Sequence, residues 1–199
     1  MNENFNKESL EESTEEQKEN ASSLLVILDW IQMIAVYFSV AILILTVFFT
    51  HSPVIGSSMT PTLTNGDMLI ISKFAYTPKN GDIIVCQSEK YGLDTPLVKR
   101  IIATEGQTVT IDYENRTITV DGVLLEEDYI HNTDTPFQSS DYLPKTFKVD
   151  DGKVFVMGDN RLPGGSIDSR FEQVGLIDER YIIGKVVLRI FPLNRIEIF

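Results

Sequence analysis

The chain has 199 residues, 43% of them hydrophobic, enough for one main core once a tail and a membrane segment are subtracted. Its formal charge of -12 argues against nucleic-acid binding, because phosphate recognition is driven by clustered Lys and Arg. Cys86 is the single cysteine, which excludes an internal disulfide and any multi-cysteine zinc or iron–sulfur centre.

Residues 1–22 hold seven Glu and two Lys, contributing -5 to the charge and leaving -7 for the remainder. With Phe5 and Leu10 as its only large apolar side chains, this stretch cannot bury enough surface to offset the entropy of ordering, so a disordered acidic tail is expected. From Trp30 to Phe49 the sequence "WIQMIAVYFSVAILILTVFF" carries no charge. At 1.5 Å rise per residue this run covers about 30 Å, the thickness of a hydrocarbon core. Residues 23–50 are therefore assigned to a transmembrane helix and its flank. A cleaved secretory leader fits less well, because the apolar run is too long and the flank before it is acidic. Lys7 and Lys18 before the run stand against Lys73 and Lys79 after it, so charge alone does not orient the helix.

Beyond the helix the pattern alternates. "DMLIIS", "GDIIVC", "PLVKRIIA", "QTVTIDY", "RTITVDGVLL", "KTFKV", "KVFVMG" and "IIGKVVLRIF" are short runs rich in Val, Ile, Phe and Thr, separated by turn residues. Residues 51–199 are expected to form a mostly β domain. Asp121-Gly122 suits a type I′ hairpin turn, and a second hairpin is expected around Glu114 and Asn115. The polar, aperiodic stretch 126–145 reads as a long excursion between parts of the core.

The first chemical signal follows the apolar run directly. "HSPVIGSSMTPTL", His51 to Leu63, sets two serines in a glycine-containing turn, and a serine nucleophile needs a partner to take its proton. His51 and His131 are the only histidines, and either reads as an ordinary surface residue. Lysine is the alternative base once burial lowers its pKa. In "PLVKRIIA", strand alternation sets Lys99 with Leu97 and Ile101, and Arg100 with Val98 and Ile102. Taken alone, these two cations better describe an edge strand guarded by charge. The third element is "FVMGDNRLPGGSIDSR", Phe155 to Arg170, whose Asp159, Ser166, Asp168 and Arg170 read alone as a polar turn but beside Lys99 and Arg100 supply carboxylates and a hydroxyl.

"GSSMTPTL", "GDIIV", "KRIIA" and "GDNR...SIDSR", in this order after an N-terminal apolar helix, resemble the boxes of type I signal peptidase, the membrane-bound serine protease that removes signal peptides from exported proteins. The resemblance covers roughly Trp30 to Arg170. It implies a membrane-anchored β-sheet or partial-barrel catalytic domain resembling the core of the self-cleaving SOS repressors, with the acidic tail in the cytoplasm and the β domain outside. By motif, Ser58 matches the nucleophile and Lys99 the general base. Ser166 matches the serine that hydrogen-bonds the lysine, and Asp159, Asp168, Arg100 and Arg170 match the supporting ion pairs. Gly56 occupies a position where some members carry a serine that assists the oxyanion, so backbone N–H groups, chiefly that of Ser58, are expected there. Ile55 and Met59 are the expected substrate-binding residues. The partners implied are signal-peptide-bearing precursors and a lipid bilayer, with no cofactor, metal or nucleic acid.

A neutral Lys99 requires an apolar wall, to which Leu97 and Ile101 contribute, and a pKa below the free lysine value. Ser58 lies eight residues past Thr50, at most about 28 Å from the helix end even when extended, so the nucleophile works close to the bilayer. Two departures stand out. "LPGG" sets four residues between Arg161 and Ser166 where the family usually has two, and Pro163-Gly164-Gly165 is a turn sequence able to loop out. "ATEGQTV" has Glu105 and Gln107 where the family commonly has a proline and an acidic residue. The rival readings are a repressor-type autoprotease, which lacks its DNA-binding region here, and a non-enzymatic single-pass module for envelope partners.

Overall fold

A computed structural model describes the backbone of residues 2–74, 76–113, 115–130 and 146–199, with side chains from residue 25 onward, Leu93 apart. The elements in chain order are α1 (Asn2–Phe48), β1 (Phe49–Pro53), β2 (Met68–Ser72), β3 (Ile83–Ser88), β4 (Gly92–Ala103), β5 (Thr108–Asp112), β6 (Thr117–Val120), β7 (Val123–Leu124), β8 (Thr146–Lys148), β9 (Lys153–Met157), β10 (Ile177–Asp178), β11 (Ile182–Phe191) and β12 (Glu197–Ile198). The chain divides into two units, residues 1–47 and 48–199.

In the first unit, Leu25 to Phe48 is long and apolar enough to cross a bilayer: 24 residues give about 36 Å at 1.5 Å each. The helix begins at Asn2, so the acidic stretch that composition reads as disordered has helical backbone. Glu, Lys and Gln are good helix formers, and here local propensity prevails over the lack of an apolar face.

The second unit is built from two antiparallel sheets. The larger has the order β1-β2-β11-β3-β4-β9-β10, with β12 added on β11, and the smaller has β7-β6-β5-β8. Every run singled out by alternation forms a strand, and three short strands, β1, β10 and β12, lie outside those runs. Both expected hairpins form: β5 pairs with β6, and β6 pairs with β7 across Asp121 and Gly122. Positive φ at both turn residues, 52° and 81°, is the geometry a type I′ turn requires. Of the excursion at 126–145, only residues 126–130 are described, and His131 lies outside the described residues.

Three apolar clusters hold the sheets. Ile102 and Ala103 of β4 and Phe155 and Met157 of β9 pack against Val109 and Ile111 of β5 and Ile118 and Val120 of β6, which joins the two sheets. A second cluster gathers Val54, Met59 and Leu63 onto Leu69, Ile71, Ile83, Val85 and Val186. A third contains Ile84, Cys86, Ile101, Val154, Val156, Val174 and Ile177, with Leu97 packed against it. Lysine 99 therefore sits on a strand inside the sheet, between β3 and β9, and the edge-strand reading is corrected.

Phe155 is fully buried at the junction of the sheets, its ring 4.9 Å from that of Phe147. Phe155→Ala is expected to cost about 3–5 kcal/mol of stability in urea unfolding of the full-length protein in detergent; a loss under about 1 kcal/mol contradicts this packing.

Candidate active site

The serine turn is held from three sides. Val54 N–H donates to the Asp67 carbonyl and Gly66 N–H to that of Val54, which closes the loop as a continuation of the β1–β2 pairing. Gly56 has φ of +95°, a region that favours glycine, and its N–H donates to Asn65 Oδ1 at 2.9 Å. Met59 and Leu63 are buried in the second cluster, and Leu63 N–H donates to the Met59 carbonyl, giving one turn of helix-like backbone. Ser58 is thus carried between an exposed rim at Ile55 and a core anchor at Met59.

The β-strand pattern of "PLVKRIIA" aims Lys99 inward. Its partner across the ladder is Ile84, and Leu97 and Ile101 flank it on the same face. Only 2% of Lys99 is exposed, and its Nζ lies 2.8 Å from Ser58 Oγ in a hydrogen bond. Burial lowers the Lys99 pKa from the ordinary 10.5, opposed by the negative charge of Asp168 and less strongly by Cys86. The Cys86 thiol is itself pushed up to about 12 by burial.

Two buried carboxylates frame this pair. Asp159 receives Arg100 in a bidentate pair, Nε to Oδ1 at 2.9 Å and Nη2 to Oδ2 at 2.7 Å, and accepts the Thr62 hydroxyl at 2.5 Å. Asp168 receives Arg170 in the same way, at 2.8 and 2.9 Å, and its Oδ2 also accepts the Gly158 N–H at 3.0 Å and the Ser166 hydroxyl at 2.8 Å. Burial would raise the Asp168 carboxyl, but the Arg170 charge and these hydrogen bonds bring it below the usual 3.8. The inserted "LPGG" loops out through a turn in which Gly165 N–H donates to the Leu162 carbonyl, and Gly164 adopts φ of +71°. Asp159 and Asp168 keep their partners across it.

Several expectations change. Among the described residues Lys99 Nζ hydrogen-bonds only Ser58, and the expected Ser166–Lys99 hydrogen bond is not made; the Ser166 hydroxyl donates to the charged Asp168. Gly56 does not offer its N–H to an oxyanion, because Asn65 already accepts it; the Ser58 N–H, with no acceptor among the described residues, is the open donor. Met59 is 1% exposed and packs in the core, whereas Ile55 stands 86% exposed. His51 is exposed on β1 opposite Ile70. Sequence reasoning did not assign Asn160, whose N–H donates to the Ser58 carbonyl and whose side-chain amide donates to the Ser57 carbonyl, both at 3.0 Å. Its place inside the "GDNR" motif was the available signal. Thr62 and the Glu127–Arg161 pair were equally unassigned.

The structure thus sets a buried lysine against a serine hydroxyl, on an antiparallel β domain that follows an apolar helix in the chain. The comparisons with known proteins name the family. The profile described as "Signal peptidase, peptidase S26" matches residues 27–191. Signal peptidase I P of Bacillus subtilis subsp. natto is 38% identical over 178 residues, covering 86% of this chain and 92% of that protein. Signal peptidase IB of Staphylococcus aureus is 33% identical over 187 residues, covering 86% of this chain and 93% of that protein. A crystal structure of a signal peptidase I from Enterococcus faecalis V583 is matched with TM-score 0.45 and 28% identity, covering 55% of this chain and 97% of that one. The chain belongs to the type I signal peptidase family, and it is a hydrolase.

Glycine at 158 is required by close approach: an added Cβ would lie 2.3 Å from both the Ser58 carbonyl oxygen and Ser166 Oγ. Gly158→Ala is expected to lower kcat/KM for a signal-peptide-bearing precursor by about 100-fold or more through displacement of the serine. Activity within about threefold of wild type would show that the Ser58 backbone is not fixed there.

Proposed function

We propose that this protein is anchored in the membrane by its N-terminal helix and removes signal peptides from exported precursors, cutting after small side chains, with Ser58 as nucleophile and Lys99 as general base. The observation that carries this reading is the 2.8 Å hydrogen bond between Ser58 Oγ and a Lys99 that is 2% exposed.

The chemistry follows from the lowered Lys99 pKa. Neutral Lys99 takes the Ser58 proton as Oγ attacks the scissile carbonyl, and the Ser58 N–H stabilises the oxyanion. Collapse of the tetrahedral intermediate expels the new N-terminal amine of the mature protein, which receives its proton from the Lys99 ammonium. The acyl-enzyme, an ester between the signal peptide's last carbonyl and Ser58 Oγ, is hydrolysed by a water that Lys99 deprotonates. The Asp159–Arg100 and Asp168–Arg170 pairs hold the walls of the site without touching the reacting atoms.

Placement near a bilayer supports the substrate class. Ser58 lies ten residues past the end of the apolar helix at Phe48, and a signal peptide presents its small-residue cleavage site just outside its apolar segment. Phe191 pairs with Met68, and Met68 with Pro53, so the exposed Phe191 shares one end of the sheet with the rim at Ile55. Leu193, Ile196 and Ile198 add exposed apolar surface after Phe191, suited to contact with lipid. By family resemblance the acidic tail is cytoplasmic and the β domain extracytoplasmic. A substrate would lie extended against a strand edge, held by main-chain hydrogen bonds.

The test is cleavage of a signal-peptide-bearing precursor by the full-length protein in detergent, beside Ser58→Ala and Lys99→Ala. Cleavage after a small residue is expected in the wild type and is lost in both variants while their circular dichroism stays that of the wild type. Cleavage that survives Ser58→Ala contradicts the assignment.

A further inference from the structure

Glu127 and Tyr129 belong to none of the motifs, since they begin the aperiodic stretch that follows β7. Yet both reach the catalytic region. Glu127 accepts Arg161 in a bidentate pair, Nη1 to Oε2 at 2.9 Å and Nη2 to Oε1 at 2.5 Å, with side chains only 8% and 2% exposed. The Tyr129 hydroxyl donates to Glu127 Oε1 at 2.9 Å, and its ring lies under the Arg100 guanidinium at 3.9 Å.

Arg161 in turn grips the turn beneath the serine. Its Nε donates to the Gly158 carbonyl at 2.8 Å, and within that turn the Asn160 N–H donates to the Ser58 carbonyl. We propose that Glu127 is a positioning residue for the nucleophile, acting through Arg161 on the Gly158–Arg161 turn that carries the Ser58 backbone; this rests on the Ser58–Lys99 reading above.

The reason is electrostatic. A guanidinium this deeply buried is held in place by its counter-ion, and removing one partner of a buried pair leaves an uncompensated charge. Without Glu127, Arg161 loses its bidentate counter-ion and its grip on the Gly158 carbonyl loosens. Asn160 and then the Ser58 carbonyl lose their fixed position, and Oγ leaves the line set by Lys99. Tyr129 ties the same segment to Arg100 and so to Asp159. Glu127 touches no reacting atom, so its loss acts on the chemical step and leaves ground-state binding of the substrate alone.

The experiment measures kcat and KM on a signal-peptide-bearing precursor with full-length wild type, Glu127→Ala, Glu127→Gln, Arg161→Ala, the double variant Glu127→Ala/Arg161→Ala, and Ser58→Ala as the blank. Glu127→Ala is expected to lower kcat about 10- to 100-fold with KM within about twofold, the scale of a displacement of about 1 Å. Glu127→Gln, which keeps an acceptor oxygen and the volume, recovers part of that loss. In the Arg161→Ala background, Glu127→Ala changes kcat by less than about twofold, because the effect runs through the arginine. If Glu127→Ala does not fold, Glu127→Gln carries the test: lowered kcat at unchanged KM supports the inference and wild-type kcat overturns it. Wild-type kcat in folded Glu127→Ala, or single effects that multiply in the double variant, overturns it while a silent Ser58→Ala keeps the Ser58 reading. Cleavage by Ser58→Ala removes both.

Discussion

The proposed chemistry depends on lowering the proton affinity of an amine inside a β sheet. Lys99 is enclosed by Ile84, Leu97 and Ile101, and that burial is the largest influence on its proton affinity. The nearby carboxylate of Asp168 pulls the other way, and the structure limits that pull by giving Asp168 its own cation, Arg170, and two further donors. An uncompensated Asp168 would raise the proton affinity of Lys99 further and work against its proposed role as base. The price is stability: because the folded pKa is lowered, the unfolded chain binds the proton more tightly, and the cost is present below the folded pKa and fades as pH rises through 10.5.

The two arginine–aspartate pairs are better understood as fixing shape than as adding stability. A buried ion pair roughly balances its desolvation against its Coulomb energy. What Arg100 and Arg170 provide is orientation, since a bidentate guanidinium fixes each carboxylate in two directions. With the carboxylates fixed, the strand end at Gly158 and the turn after it become a rigid floor under Ser58. The floor tolerates an insertion because "LPGG" leaves and returns at the same place.

The sequence was most legible where a local rule applied. Alternation identified the long strands, and Asp121-Gly122 identified its hairpin, because both depend on neighbours in the chain. Lys99 was different: its strand alone read more readily as a charged edge, and only the neighbouring β3 and β9 make it buried. Ser58 and Lys99 were reached through motif resemblance, which carries tertiary information that periodicity lacks. Glu127, Tyr129 and Thr62 stayed hidden because they meet Arg161, Arg100 and Asp159 across 34, 29 and 97 residues of sequence, without a periodic pattern to mark them. The place of Met59 as the core anchor of the serine turn was not legible either, because its packing partners lie on other strands.

The most direct measurement is the titration of Lys99 itself. In full-length protein carrying nitrogen-15 lysine, the Nζ resonance assigned by its loss in Lys99→Met is followed with pH. A midpoint clearly below the ordinary 10.5 is the predicted result, and a midpoint at or above it would mean that Lys99 is an ordinary cation beside Ser58, which contradicts the proposed role as base.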